Sequence, residues 1–268
     1  MLKKLFIYDI KTLRRSQVPF ILGILGAGVV GILCMIINLL IPENLVLLRI
    51  FPTLIIYLLF TALSVAAAVA SIFILIHYYK KFFSDEGYLT FMFPVSVETQ
   101  FMSKVLSGSL FSLLSMLATV ISFGLLFVAM IGSTVPSDLW ELSGGAPALD
   151  FGLIPAPAIV TAILVVLLVF LTPIANLILY YTAITLGSIF FSKHKILGSI
   201  LFYMVVNFAM SFITFAATFV VAILSAFSQS EWVMILTISV TSLLLLVAVS
   251  VLGYFICTYM LKKKINLE

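Results

Sequence analysis

Residues 158–191 read AIVTAILVVLLVFLTPIANLILYYTAITLGSIFF, with no Asp, Glu, Lys or Arg among them. A helix needs about 20 apolar residues to cross a bilayer, and a barrel strand about 9–11 with alternating faces. This run exceeds both lengths and does not alternate, so it predicts a membrane-spanning helix. Pro173 lies inside it and is expected to kink or break it.

Five further apolar runs flank this one: Val18–Ile41, Phe51–His77, Val105–Ile131, Leu197–Phe227 and Trp232–Leu261. The fold class expected is an all-α integral membrane protein with six transmembrane helices, residues 18–268 forming the spanning domain. Several runs exceed the minimum length, so tilt or protrusion beyond the bilayer is expected. The first run is too long for the apolar core of a signal peptide, about 7–15 residues, and no A-x-A site follows it. It is read as a retained span.

Composition agrees. Of 268 residues, 64 % are hydrophobic and 9 % charged, with a mean hydropathy of +1.33. Soluble domains carry roughly 25 % charged residues. A soluble enzyme, a nucleic-acid-binding module and a disordered chain are thereby excluded, and the partner expected for most of the surface is the lipid bilayer. The net charge of +4 and pI near 9.0 reflect basic residues at the ends of apolar runs.

Those basic residues set the expected orientation. With the N-terminus inside, thirteen of the fourteen Lys and Arg residues fall on inner segments, and Arg49 alone falls outside. This asymmetry predicts a multi-pass protein with both termini cytoplasmic. Cys34 then sits toward the outer side and Cys257 near the inner side, so no disulfide is expected between them.

Three segments lie between or before the spans. Residues 1–17 place Leu2, Leu5, Phe6, Ile10 and Leu13 on one helical face and Lys4, Tyr8, Lys11 and Arg15 on another. They fit an amphipathic helix flat in the interface, or a simple basic flank. Residues 78–104 form an inner loop with Phe82, Phe83, Tyr88, Phe91, Phe93 and Phe101. Ser84 is placed to cap one short helix, Pro94 to stop it, and Ser96 to cap another. The loop reads as an interfacial elbow or as an apolar docking surface that a partner would cover. Residues 132–157 form an outer loop rich in Gly and Pro, with Asp138, Glu141 and Asp150. A cation site there and a solvated loop both fit.

The span centres hold no ionisable residue, which argues against ion-coupled transport and intramembrane proteolysis. No catalytic, metal-ligating or cofactor-binding residues are expected, and no Walker A run is present. Small residues recur every four positions in Gly23, Ala27 and Gly31 and in Ala62, Ala66 and Ala70, and Gly108, Ser112, Ser115 and Thr119 make a similar stripe at steps of three and four. Such spacing permits close helix packing in lipid. Asn38, Asn176 and Asn207 are the most polar mid-span groups, and with Ser112 and Thr119 they either line a path or bond across helices.

Within the inner loop, Phe83-Ser84-Asp85-Glu86-Gly87-Tyr88-Leu89-Thr90-Phe91, then Phe93-Pro94-Val95-Ser96 and Ser103-Lys104, resembles a segment of the small permease subunits of type-2 ABC exporters in Gram-positive bacteria. Those chains often carry D-E-G-Y-L-x-F-x-L-P-V followed by S-K; here Phe93 stands for the usual leucine. The opening Met1-Leu2-Lys3-Lys4-Leu5 with Tyr8-Asp9-Ile10-Lys11 is similar to the family's M-L-x-K-L-x-K-Y-E-x-K, with Asp9 for glutamate.

The resemblance implies a half-transporter in the bacterial plasma membrane. Two permease copies, as a homodimer, would pair with two cytoplasmic ABC ATPase subunits, which would bind ATP and Mg. Residues 1–17 would be the connecting helix and 78–104 the coupling-helix loop. Phe83, Ser84, Asp85, Glu86, Gly87, Tyr88 and Pro94 would dock the ATPase. Uncharged span centres suit a hydrophobic or amphipathic peptide cargo, such as a toxin or bacteriocin. A competing reading is a non-transporting scaffold or sensor that recruits a soluble partner through the same loop. A lipid-active membrane enzyme relying on Asp138, Glu141 or Asp150 is a third.

Overall fold

The computed structural model describes residues 2–42, 45–84, 87, 92, 95–134, 156–191, 194–226 and 231–263. Six helices carry these residues: α1 (Leu2–Leu40), α2 (Val46–Phe83), α3 (Val97–Thr134), α4 (Ala156–Phe190), α5 (Lys195–Ala226) and α6 (Glu231–Lys263). No strand occurs among the described residues. All six helices are long and apolar enough to cross a membrane. Their outward surfaces are apolar, with Leu47, Phe208 and Phe215 each more than two-thirds exposed. That surface suits hydrocarbon and is costly in water.

The helices overrun the apolar runs. α1 is one helix of 39 residues, so residues 2–17 continue without a break into the first apolar run. Its start is sided in part: Leu5, Phe6, Ile10 and Leu13 are covered and Lys4, Tyr8, Lys11 and Arg15 are exposed, but Leu2 of the expected apolar face is exposed too. The covered side also carries Asp9 and Gln17, both buried. Pro173 does not break α4, which runs unbroken from Ala156 to Phe190. Pro19 and Pro52 likewise lie within α1 and α2. Spanning helices tolerate proline because neighbouring groups satisfy the freed backbone.

The chain forms two compact units. One contains α1 to Ile10, α2 from Leu75, α3 to Ser112, and all of α4, α5 and α6. Here α4 packs against both α5 and α6. The other contains α1 from Lys11, α2 to Ile74 and α3 from Leu113. Its core is Ile24, Leu63, Ala118 and Leu126, continued by Cys34, Ile56 and Ala129. Two polar contacts tie its helices: the Ser122 hydroxyl donates to the Ile24 carbonyl (2.8 Å) and the Gln17 amide to the Ala70 carbonyl (2.9 Å). In lipid, small residues and such bonds replace the hydrophobic effect as glue.

On α1 Ile24, Gly28 and Gly31 are buried and Ala27 packs partly buried against the same core, while Gly23 is exposed. A Cβ on Gly28 would lie 3.0 Å from the Ser122 Cα, whereas Gly23 faces open space. On α2 the buried positions include Ile56, Leu63 and Ala70, with Ala66 partly buried against the same core and Ala62 exposed. On α3 they include Ser107, Gly108, Phe111, Ser115, Ala118, Ser122 and Leu126, with Ser112 and Thr119 half-buried. A spacing of four drifts about 40° per step around a helix with 3.6 residues per turn, so the ends of such rows turn away from the neighbour that their other members meet. Cys34 and Cys257 are both free and buried.

Candidate functional site

The base of the 78–104 segment lies within the first unit and is held by aromatic and charged contacts. Tyr78 stacks on Tyr181 of α4, with centroids 3.9 Å apart and planes 12° from parallel. Phe82 and Phe101 pack on Tyr78, and Phe101 also meets Tyr254 of α6. Tyr78, Phe82, Phe101 and Tyr181 are all buried.

Thr185 is the polar centre of this cluster. Its hydroxyl donates to the Tyr181 carbonyl (2.7 Å), which leaves its oxygen to accept from the Tyr78 hydroxyl (2.8 Å) and the Cys257 thiol (3.7 Å). A hydroxyl has one proton to give and two lone pairs to receive, so Thr185 is saturated. Thr185→Val is expected to destabilise by about 1–3 kcal/mol, because the Tyr78 donor is left buried and unpaired. Tyr78→Phe removes only one bond and should cost about 1 kcal/mol. Thermal unfolding of the two variants in detergent checks the order.

Asp9 of α1 is buried beside the start of α3. One carboxylate oxygen accepts from the Ser103 hydroxyl at 2.6 Å and the other pairs with the Lys104 ammonium. At the surface, Lys262 of α6 pairs with Glu98, and the Lys81 ammonium sits 5.5 Å from the Tyr8 ring centroid. Five helices thus meet around the two ends of the segment.

Of the seven expected docking residues, Phe83 is buried among Tyr78, Tyr79 and Phe82. Ser84 donates its hydroxyl back to the Lys80 carbonyl (2.7 Å), closing α2. Gly87 is buried, and its N–H bonds the Ser84 carbonyl at 2.7 Å. A Cβ there would lie 2.5 Å from the Phe82 carbonyl oxygen, so the turn needs glycine. Asp85, Glu86, Tyr88 and Pro94 lie outside the described residues, as does most of the 132–157 segment. Ser96 caps α3 as its sequence suggests, accepting from the Thr99 N–H at 3.4 Å, with Glu98 in the first turn.

The polar mid-span residues divide. Asn176 and Asn207 come together in a half-open cleft of about 440 Å³ between α4, α5 and α6. α4 adds Thr172, α5 adds Ser211 and Thr214, and α6 adds Thr241 and Ser242, among Leu, Met, Val and Ala side chains. Among the described residues no charged one lines it. Ser112 and Thr119 do not line it either, and Thr119 donates to the Ser115 carbonyl of its own helix. Asn38 belongs to the other unit, where its buried amide nitrogen makes no hydrogen bond among the described residues.

Among the described residues no group of three or more His, Cys, Asp or Glu side chains could hold a metal. The Asp9–Lys104 pair spans 95 positions and has no local signal; alone, Asp9 reads as part of an opening motif and Lys104 as a topogenic charge. The hydroxyls around Asn176 and Asn207 are equally unremarkable in isolation, since Ser and Thr are common in spanning helices. Comparison with known protein families, curated proteins and solved structures finds no match for this chain.

Proposed function

We propose that this chain is the membrane-spanning permease subunit of an ATP-driven exporter that moves a hydrophobic or amphipathic peptide out of a bacterial cell. Two copies would span the plasma membrane with both termini cytoplasmic, each seated on one cytoplasmic ATPase. The observation that carries the reading is the 78–104 segment. Its Ser84–Ser96 motif resembles an ATPase-coupling loop, and its two ends are fastened to α1, α4 and α6 by Tyr78, Phe101, Lys104 and Glu98. A loop that passes force to the spans needs rigid roots, because a soft attachment dissipates the displacement. Six apolar helices supply the spanning body.

ATP binding would draw the two ATPases together and push the loops, and the packed aromatic base would carry that motion into α4 and α6. The test is purification of the tagged chain from native membranes in mild detergent, beside a variant with Asp85, Glu86 and Tyr88 all changed to alanine. A soluble P-loop ATPase should co-elute stoichiometrically with the wild type and be lost from the variant. Absence of any ATPase from the wild type, in native and cross-linked samples alike, overturns the exporter reading.

A further inference from the structure

The cleft between α4, α5 and α6 has an unequal hydrogen-bonding character. Thr172, Asn207, Thr214, Thr218, Thr241 and Ser242 each donate a proton to a carbonyl of their own helix. The Thr172 bond to Leu168 is 2.7 Å and the Thr241 bond to Thr237 is 2.9 Å. A Ser or Thr hydroxyl has a single proton, so once it is given to the backbone only acceptor lone pairs remain. The cleft wall therefore offers more acceptors than donors. The donors that remain are the Asn176 amide, the second N–H of Asn207 and the Ser211 hydroxyl.

These acceptors are set among apolar side chains, at the depth of the spanning segments. Lipid tails offer these oxygens no donor, so their remaining lone pairs are open to one from a ligand. The complementary occupant is an apolar body carrying N–H donors. It enters uncharged, because the wall holds no counter-ion for a buried charge. A volume of about 440 Å³ falls within the usual range for ligand sites.

We infer that this cleft binds a neutral, apolar peptide segment through its backbone N–H groups. The Thr and Ser oxygens accept those N–H groups, and Asn176 donates to a peptide carbonyl. As the place where exported cargo first docks, the assignment rests on the exporter reading; the binding itself needs no ATPase.

The experiment uses the full chain in phosphatidylcholine nanodiscs and a blocked fluorescent probe, N-acetyl-leucyl-phenylalanyl-leucine amide. It is run beside a depsipeptide analogue in which one central N–H is replaced by an ester oxygen. The amide is expected to bind saturably and about five- to tenfold more tightly than the ester, the worth of one good hydrogen bond. Thr214→Val with Thr241→Val preserves side-chain shape and should abolish that preference while leaving the ester's affinity in place. Thr119→Val, outside the cleft, should leave both affinities unchanged. Equal binding of amide and ester by the wild type, no saturable binding, or a preference that survives the double variant would each overturn the assignment. The wild-type comparison stands even if the double variant does not fold. A failed ATPase capture with an intact amide preference would sink the exporter reading and leave the site.

Discussion

Lys104→Met should destabilise the protein by about 3–5 kcal/mol, the usual cost of stranding one member of a buried ion pair. The Asp9 and Lys104 side chains are 1 % and 7 % exposed, so water cannot solvate the survivor. Ser103 would still donate to Asp9, but one hydrogen bond from a neutral hydroxyl does not offset a buried carboxylate. Asp9→Leu should cost a similar amount by stranding the ammonium. Combining the two removes both charges, and the double variant should recover most of the loss. Lys262→Ala is the contrast. Its pair with Glu98 is about half exposed, so screening and side-chain entropy limit its worth to about 0–1 kcal/mol. Thermal unfolding in detergent, read by fluorescence-detected size exclusion, separates the cases. A Lys104→Met protein as stable as the wild type would show that the pair does not anchor the segment.

The architecture was more legible than the sites because the two depend on different information. Whether a run can span a membrane is a property of its own composition, so the six apolar runs lead directly to six helices. Helix ends were harder, since hydrogen bonding continues where hydropathy stops. Tyr78, Tyr79, Lys80, Lys81, Phe82 and Phe83 end an apolar run but continue α2. In α1 the change from basic to apolar character near Gln17 leaves the backbone unaffected.

Packing depends on which residue meets which across helices, and a single sequence does not encode that locally. Gly23 and Gly28 look alike in the chain, yet one faces open space and the other faces Ser122. Asn176 and Asn207 stood out by polarity alone. That they share a cleft, and that most of its hydroxyls give their protons to their own helices, follows only from the helix arrangement.

The same distinction makes glycine substitutions a sharp probe. Gly187→Ala is expected to be strongly destabilising, although alanine favours a helix by about 1 kcal/mol over glycine. A Cβ at Gly187 would lie 2.3 Å from both the Cα and the N of Ser199, and 2.5 Å from the Gly198 carbonyl carbon. These are backbone atoms, so no rotamer change can relieve the overlap and α4 and α5 must move apart. Ordinary overpacking of a core costs about 1–3 kcal/mol, and contact with backbone on all near sides belongs at or above the top of that range. The net effect is therefore a loss of at least about 2 kcal/mol after the helical gain is credited. Gly23→Ala reverses the sign: with no atom within 4 Å, only the propensity gain remains, and stability should hold or rise by up to about 1 kcal/mol. Because α4 and α5 both wall the Asn176–Asn207 cleft, Gly187→Ala should also weaken binding of the amide probe, while Gly23→Ala should not. Unfolding temperature and probe affinity falling together in Gly187→Ala would tie the tight α4–α5 crossing to the shape of the cleft. A Gly187→Ala protein as stable as wild type would mean that the two helices do not approach so closely.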